Sequence, residues 1–221
     1  MGAGVLETVA RIMAFGGAED KAAYVAQMRA RFEARTGAYV PEDPWFEERS
    51  RAFWCDAVTR GRFGREVEGE LRDEERAWLG PLERAHRGLF RTAAGGNVLE
   101  DVWSGAELVL TLVDDVSRAE LDAGTGQLVD ARVVGTDDPL VVALLPGAIF
   151  HSRDATAAIK PVLAAAHARL LPTHDALDAL LRMERTLRSL SRVKVAYAYR
   201  PDALSPGAPA VPVHRAGKTP T

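Results

Sequence analysis

The stretch that decides the fold is GQLVDARVVGTDDPLVVALLPGAIF, residues 126–150. It holds two short runs of β-branched and apolar residues, LVDARVV and LVVALL, separated by Gly135-Thr136-Asp137-Asp138-Pro139 and closed by Pro146-Gly147. Apolar runs this short, bounded by turn residues, read as strands. Working backwards, NVLEDVW from Asn97 and ELVLTLV from Glu107 have the same character, with turns at Ser104-Gly105 and Gly124-Thr125-Gly126. Four or five strands within about 55 residues predict a small antiparallel sheet or a partly open barrel. A sheet of that size needs a cover, so the flanking helices are expected to supply one.

Helical spacing surrounds this segment on both sides. In EDKAAYVAQMRARFEARTG, Ala22, Val25, Met28 and Phe32 share a face and Gly37 marks a stop. Phe46, Phe53, Trp54 and Val58 form a second apolar face. A third, Trp78, Leu82, Ala85 and Leu89, is interrupted by Pro81. Trp54 and Trp78 are expected in the core. Beyond His151, ATAAIKPVLAAAHARLL reads as a helix bent at Pro161, capped by Ser152 or Asp154. Leu177, Leu180, Met183, Leu187, Leu190 and Tyr197 then follow steps of three and four along one long helix from Pro172-Thr173. The expected organisation is α+β: a helical region over 1–92, a small antiparallel β region over 93–152, and a helical pair over 153–200 packing on the sheet. The Pro-, Ala- and Gly-rich segment 201–221 is expected to be a disordered tail.

An apolar content of 47% over 221 residues is enough for a proper core. The net charge of −3 conceals an uneven distribution. Residues 93–152 carry two arginines against ten acids, a net −8, whereas residues 153–221 carry eleven bases and five acids, a net +6. The acidic middle argues against nucleic acid as a partner. A single cysteine excludes an intramolecular disulfide and a cysteine-based zinc cluster. Glu7 and Arg11 interrupt the N-terminal apolar run, which therefore does not read as a signal peptide. No stretch reaches the roughly 18 apolar residues of a membrane span. The expectation is a cytoplasmic protein with no membrane contact, no metal and no cofactor.

Individual residues carry little chemistry. His151 stands where an apolar strand ends, and His86, His167, His174 and His214 lie at none of the spacings that make a local metal site. It is expected to begin an exposed turn. Cys55, after Phe53-Trp54, reads as a small buried hydrophobe. Asp114-Asp115 and Asp137-Asp138 read as solvated turn doublets. GRFG at 61–64 and GTG at 124–126 lack the frame of a nucleotide-binding loop. Arg182, Arg185, Arg188, Arg192 and Lys194 remain as a candidate basic face for a partner, or for the acidic segment of the same chain.

RDEERAWLGPLERAHRGLFR, LEDVWSGAELVL, GQLVDARVVG and ALLPGAIFHSRDATAAI, within residues 70–160, resemble a helix-then-small-sheet region of uncharacterised bacterial proteins that carry a SEC-C motif. The cysteine-rich zinc-binding tail of those proteins has no counterpart here, since only Cys55 exists. The resemblance implies the helix-to-sheet order and no activity. The sequence thus favours a non-enzymatic interaction or adaptor protein with another protein as partner. The alternatives are an enzyme with a site assembled around Asp101, Arg132 and His151, and a nucleic-acid binder using the basic helix 182–194.

Overall fold

The computed structural model describes residues 2–93, 95–135, 141–189 and 194–205. The chain divides into two compact units, Met1–Arg153 and Asp154–Thr221.

The first unit begins with helices α1 (Gly2–Phe15), α2 (Ala22–Thr36) and α3 (Phe46–Val58), followed by the short turns of helix α4 (Phe63–Glu66), α5 (Asp73–Arg76) and α6 (Leu79–Glu83). Met28 and Phe32 of α2 and Phe53 of α3 are buried, as their spacing predicts. Gly37 ends α2 at φ 92°, its N–H bonded to the Glu33 carbonyl at 2.7 Å. Trp54 and Trp78 are only half-buried and stand at the margin of the core, not in it.

The strands are β1 (His86–Thr92), β2 (Val98–Asp101), β3 (Glu107–Leu112), β4 (Leu128–Gly135), β5 (Val141–Leu144) and β6 (Ile149–Phe150). The order β1-β2-β3-β5-β4 closes into a barrel because β4 also pairs with β1, and β6 is added on β4. Every pairing is antiparallel except β3 with β5. The fold is α+β as expected, with a closed mixed barrel where the sequence suggested a wholly antiparallel sheet or a partly open one. A parallel pair demands a long connection. Here it contains β4 and α7 (Asp115–Ala123), a helix set between β3 and β4.

Two features of the sequence reading are corrected. HRGLFRT, expected as the end of a helix, is strand β1, so the β region begins at residue 86 instead of 93. Of the Asp114-Asp115 doublet, Asp115 is exposed as expected, whereas Asp114 caps α7, its Oδ1 accepting the N–H of Val116 at 3.1 Å and of Ser117 at 3.0 Å. The second doublet, Asp137-Asp138, lies outside the described residues.

Phe90, Leu99, Leu110, Val129, Val133 and Leu144 fill the barrel, with Leu121 of α7 in the same cluster. β4 is buried at seven consecutive positions, Leu128–Val134. One face of such a strand serves the barrel core and the other the layer outside it. The α3 helix reaches the barrel at the turn between β5 and β6. Gly147 has φ +96° there, and a Cβ on it would stand 2.5 Å from the Arg51 carbonyl oxygen. Only glycine combines that dihedral with that approach.

In the second unit, α8 (Ala155–Ala168) runs through Pro161, α9 (Thr173–Ser189) follows, and a single turn forms α10 (Val195–Ala198). The long helix expected from Thr173 therefore does not reach Tyr197 as one described element. Pro201–Leu204 form a 3-10 turn that packs with α8 and α9, and Leu204 is buried. The expected tail thus has ordered residues at its start, and its remainder from residue 206 lies outside the described residues. No helix among the described residues is long and apolar enough to cross a membrane.

Candidate functional site

Three arrangements of polar residues decide what this chain can do. The first lies on the outer face of β1 and β4, where Arg87, Asp130 and Arg132 alternate with core residues. Arg87 donates from Nε to Asp130 Oδ1 at 2.9 Å and from Nη2 to Oδ2 at 2.7 Å, and both side chains are buried. Arg132 Nη2 donates to Asp56 Oδ1 at 2.5 Å, and Arg35 Nη2 reaches Asp56 Oδ2 at 2.5 Å. The chain from Arg132 through Asp56 to Arg35 ties β4 to α3 and α2. Such paired charges act as a weld, since each satisfies the other's lost hydration. Cys55, beside Asp56 on α3, is wholly buried, and burial pushes its thiol up to about 11 against the opposing pull of Arg132. A thiol held protonated is a poor nucleophile.

The second arrangement concerns the residues weighed as an enzyme site. His151 is fully buried, its backbone N–H bonded to the Leu128 carbonyl at 2.9 Å, which corrects the expectation of an exposed turn. Asp101 stands opposite Phe90, on the barrel side of the wall, while Arg132 lies on the outer side. Asp101 accepts the N–H groups of Trp103 and Ser104, each at 2.8 Å, and meets His86 Nε2 at 3.0 Å. Burial works against its charge, but those donors, with Ser104 foremost, hold its carboxyl below the usual range. The fold therefore gives Asp101 and Arg132 different partners on different faces. Among the described residues, no group of three His, Cys, Asp or Glu is placed to hold a metal ion.

The basic residues of the C-terminal unit are partly engaged within that unit. Arg182 Nη2 donates to the Leu204 carbonyl at 3.3 Å. Arg188 Nε donates to Glu184 Oε1 at 2.7 Å, and buried Glu184 also accepts the Tyr199 hydroxyl. Burial raises the Tyr199 phenol well above its ordinary range, and the Glu184 carboxylate adds to that. Arg185 is half-buried and Lys194 exposed. Arg192 lies outside the described residues.

The third arrangement was not singled out by the sequence. The hairpin of β2 and β3 presents Val98 and Glu100 outward on one strand and Glu107 and Val109 on the other, in the register Val98 with Val109 and Glu100 with Glu107. Val109 is 43% exposed, and Trp103 in the turn is 37% exposed. Arg91 of β1 pairs with Glu100 at 2.9 Å, leaving two carboxylates directly opposite one another beside one arginine. Like charges in that position destabilise a sheet. The only sequence signal was a tryptophan next to a Ser-Gly turn.

No family model, curated protein or solved structure matches the chain. A strand order carries no function by itself.

Proposed function

We propose that the protein is a non-enzymatic, cytoplasmic interaction protein whose β2–β3 hairpin takes a basic, partly apolar segment of a partner protein. The observation that carries this reading is the pairing of Glu100 with Glu107 between exposed Val109 and Trp103. The free protein keeps a like-charge pair that a lysine or arginine of a partner would neutralise, next to apolar area that a partner would cover. The buried charges of β1 and β4 serve the fold, which is consistent with a role other than catalysis. The resemblance to the region found beside SEC-C motifs adds the helix-to-sheet order to this reading and no activity. Nucleic acid fits this face poorly, because the two glutamates would meet phosphate.

Affinity capture from lysate with the wild-type chain, Trp103→Ala and the double variant Glu100→Gln/Glu107→Gln tests the proposal. Capture should weaken as salt rises and fail with both variants. The glutamine pair removes the repulsion together with the exposed Arg91–Glu100 ion pair, so stability should stay within about 1 kcal/mol of wild type. A partner held equally well by all three proteins would refute the assignment of this face.

A further inference from the structure

A groove beside the N-terminal helix is used by neither the buried charges of the barrel wall nor the hairpin. It lies between α1, the segment of α5 and α6, and the end of β4 at Gly135, and its volume is about 710 Å³. That size falls in the range of small-molecule pockets. Ala77, Trp78 and Pro81 supply its apolar lining. A Cβ on Gly4 of α1 would stand 3.3 Å from Trp78 Nε1, so the glycine keeps the N–H edge of the indole clear. That N–H donates to no group among the described residues and is not enclosed, which leaves it open to a ligand. The charge of the lining is negative. Arg72 donates from Nη2 to Glu75 Oε1 at 2.7 Å and reaches Glu74 Oε1 from Nη1 at 2.8 Å. Glu7 on α1 makes no ion pair among the described residues and meets Arg72 only through its field. Arg11, one turn further along α1, holds its guanidinium over the Phe15 ring at 5.2 Å and acts on Glu75 from a distance. Three carboxylates thus line the groove with one arginine, and two of them already share it.

We propose that this groove binds a small organic cation, a protonated primary amine on an aryl or alkyl body, with Glu7 as its counter-ion. Glu75 is buried with both oxygens committed, Oε1 to the Arg72 side chain and Oε2 to the Arg72 backbone N–H at 2.8 Å. Glu7 can take an ammonium group without giving up an existing pair, and the resulting hydrogen bond is charge-assisted. The body of the ligand lies along Ala77, Trp78 and Pro81, and an oxygen next to the amine accepts the indole N–H. A bare metal ion suits the groove less well, because among the described residues no group of three His, Cys, Asp or Glu is placed to hold one.

Calorimetric titration of the full chain at constant ionic strength tests the site, with phenethylamine, its hydroxylated analogue phenylethanolamine, the neutral phenethyl alcohol, and ammonium chloride. One-site saturable binding of phenethylamine is expected, with phenylethanolamine tighter because its hydroxyl accepts from Trp78. Glu7→Gln should weaken both amines about tenfold, as for loss of one charge-assisted hydrogen bond. Glu7 is exposed, so this variant should melt with wild type. Gly4→Ala sets a methyl group against the indole nitrogen without touching a carboxylate, at a helical position that alanine favours. It should abolish the preference for phenylethanolamine. The proposal is overturned if neither amine saturates, if phenethyl alcohol binds as tightly as phenethylamine, if ammonium chloride displaces the amine at equal concentration, or if both substitutions leave binding unchanged.

Discussion

Replacing Arg87 by methionine removes both hydrogen bonds to Asp130 and leaves that carboxylate in a wall where its side chain is 3% exposed. Breaking a buried pair in this way costs about 3–5 kcal/mol, most of it the price of the stranded charge. In a protein of this size 1 kcal/mol moves Tm by about 2–4 °C, so Arg87→Met should melt roughly 6–20 °C below wild type. The second half of the experiment separates charge from packing. Arg87→Met/Asp130→Leu leaves neither member of this pair charged and buries apolar atoms between the same layers. It should therefore recover most of the loss, since apolar replacement of a whole buried pair is close to neutral or stabilising. Urea unfolding followed by tryptophan fluorescence gives both values, and added salt should change the single-variant loss little because the pair is shielded from solvent. A single-variant loss below about 1 kcal/mol, the value of an exposed pair, would show that helices do not cover the outer face of β1 and β4.

Three further outcomes are expected. Gly147→Ala should destabilise by about 2–4 kcal/mol, combining a left-handed dihedral with intrusion on the α3 backbone, and a denaturant midpoint equal to wild type would refute that contact. Cys55, with its thiol near 11 and no exposure, should react with a thiol reagent at pH 8 only as fast as the fold opens, so rapid labelling of the native protein would contradict its placement. Tyr199 has a raised folded-state pKa, so its contribution is complete below pH 10 and is lost as the pH rises above that value. Alkaline unfolding of the C-terminal unit should accordingly shift upward in Tyr199→Phe, and an unchanged alkaline limb would count against the buried phenol.

Strands β2 to β5 were legible because their runs are short, β-branched and separated by Gly, Pro, Ser and Asp. β1 was not. In HRGLFRT the strand is buried on both faces, with polar Arg87 and Thr92 among the buried positions, so period-two alternation is absent. Leu89 then fell into step with Trp78, Leu82 and Ala85, which mimicked a helical stripe. The α7 helix was hidden for a related reason: DVSRAELDA buries only Ser117 and Leu121, too few apolar residues to show a period, although Asp114 before it and Gly124 after it are cap residues. The charge distribution was visible as a sum but not as geometry. Glu100 and Glu107 are seven positions apart in the chain, and only the β2–β3 register sets them face to face. Arg132 and Asp56 are 76 positions apart, a pairing that no local pattern announces.

The most direct test of the interaction reading is hydroxyl-radical footprinting of the protein alone and with its captured partner. Trp103 is the informative residue, being oxidisable and partly exposed at the tip of the hairpin. The account predicts that the partner suppresses oxidation at Trp103 and along 98–109 while leaving residues 182–194 unchanged. Unaltered oxidation of Trp103, with protection appearing instead over 182–194, would contradict it and assign the partner to the basic residues of the C-terminal unit.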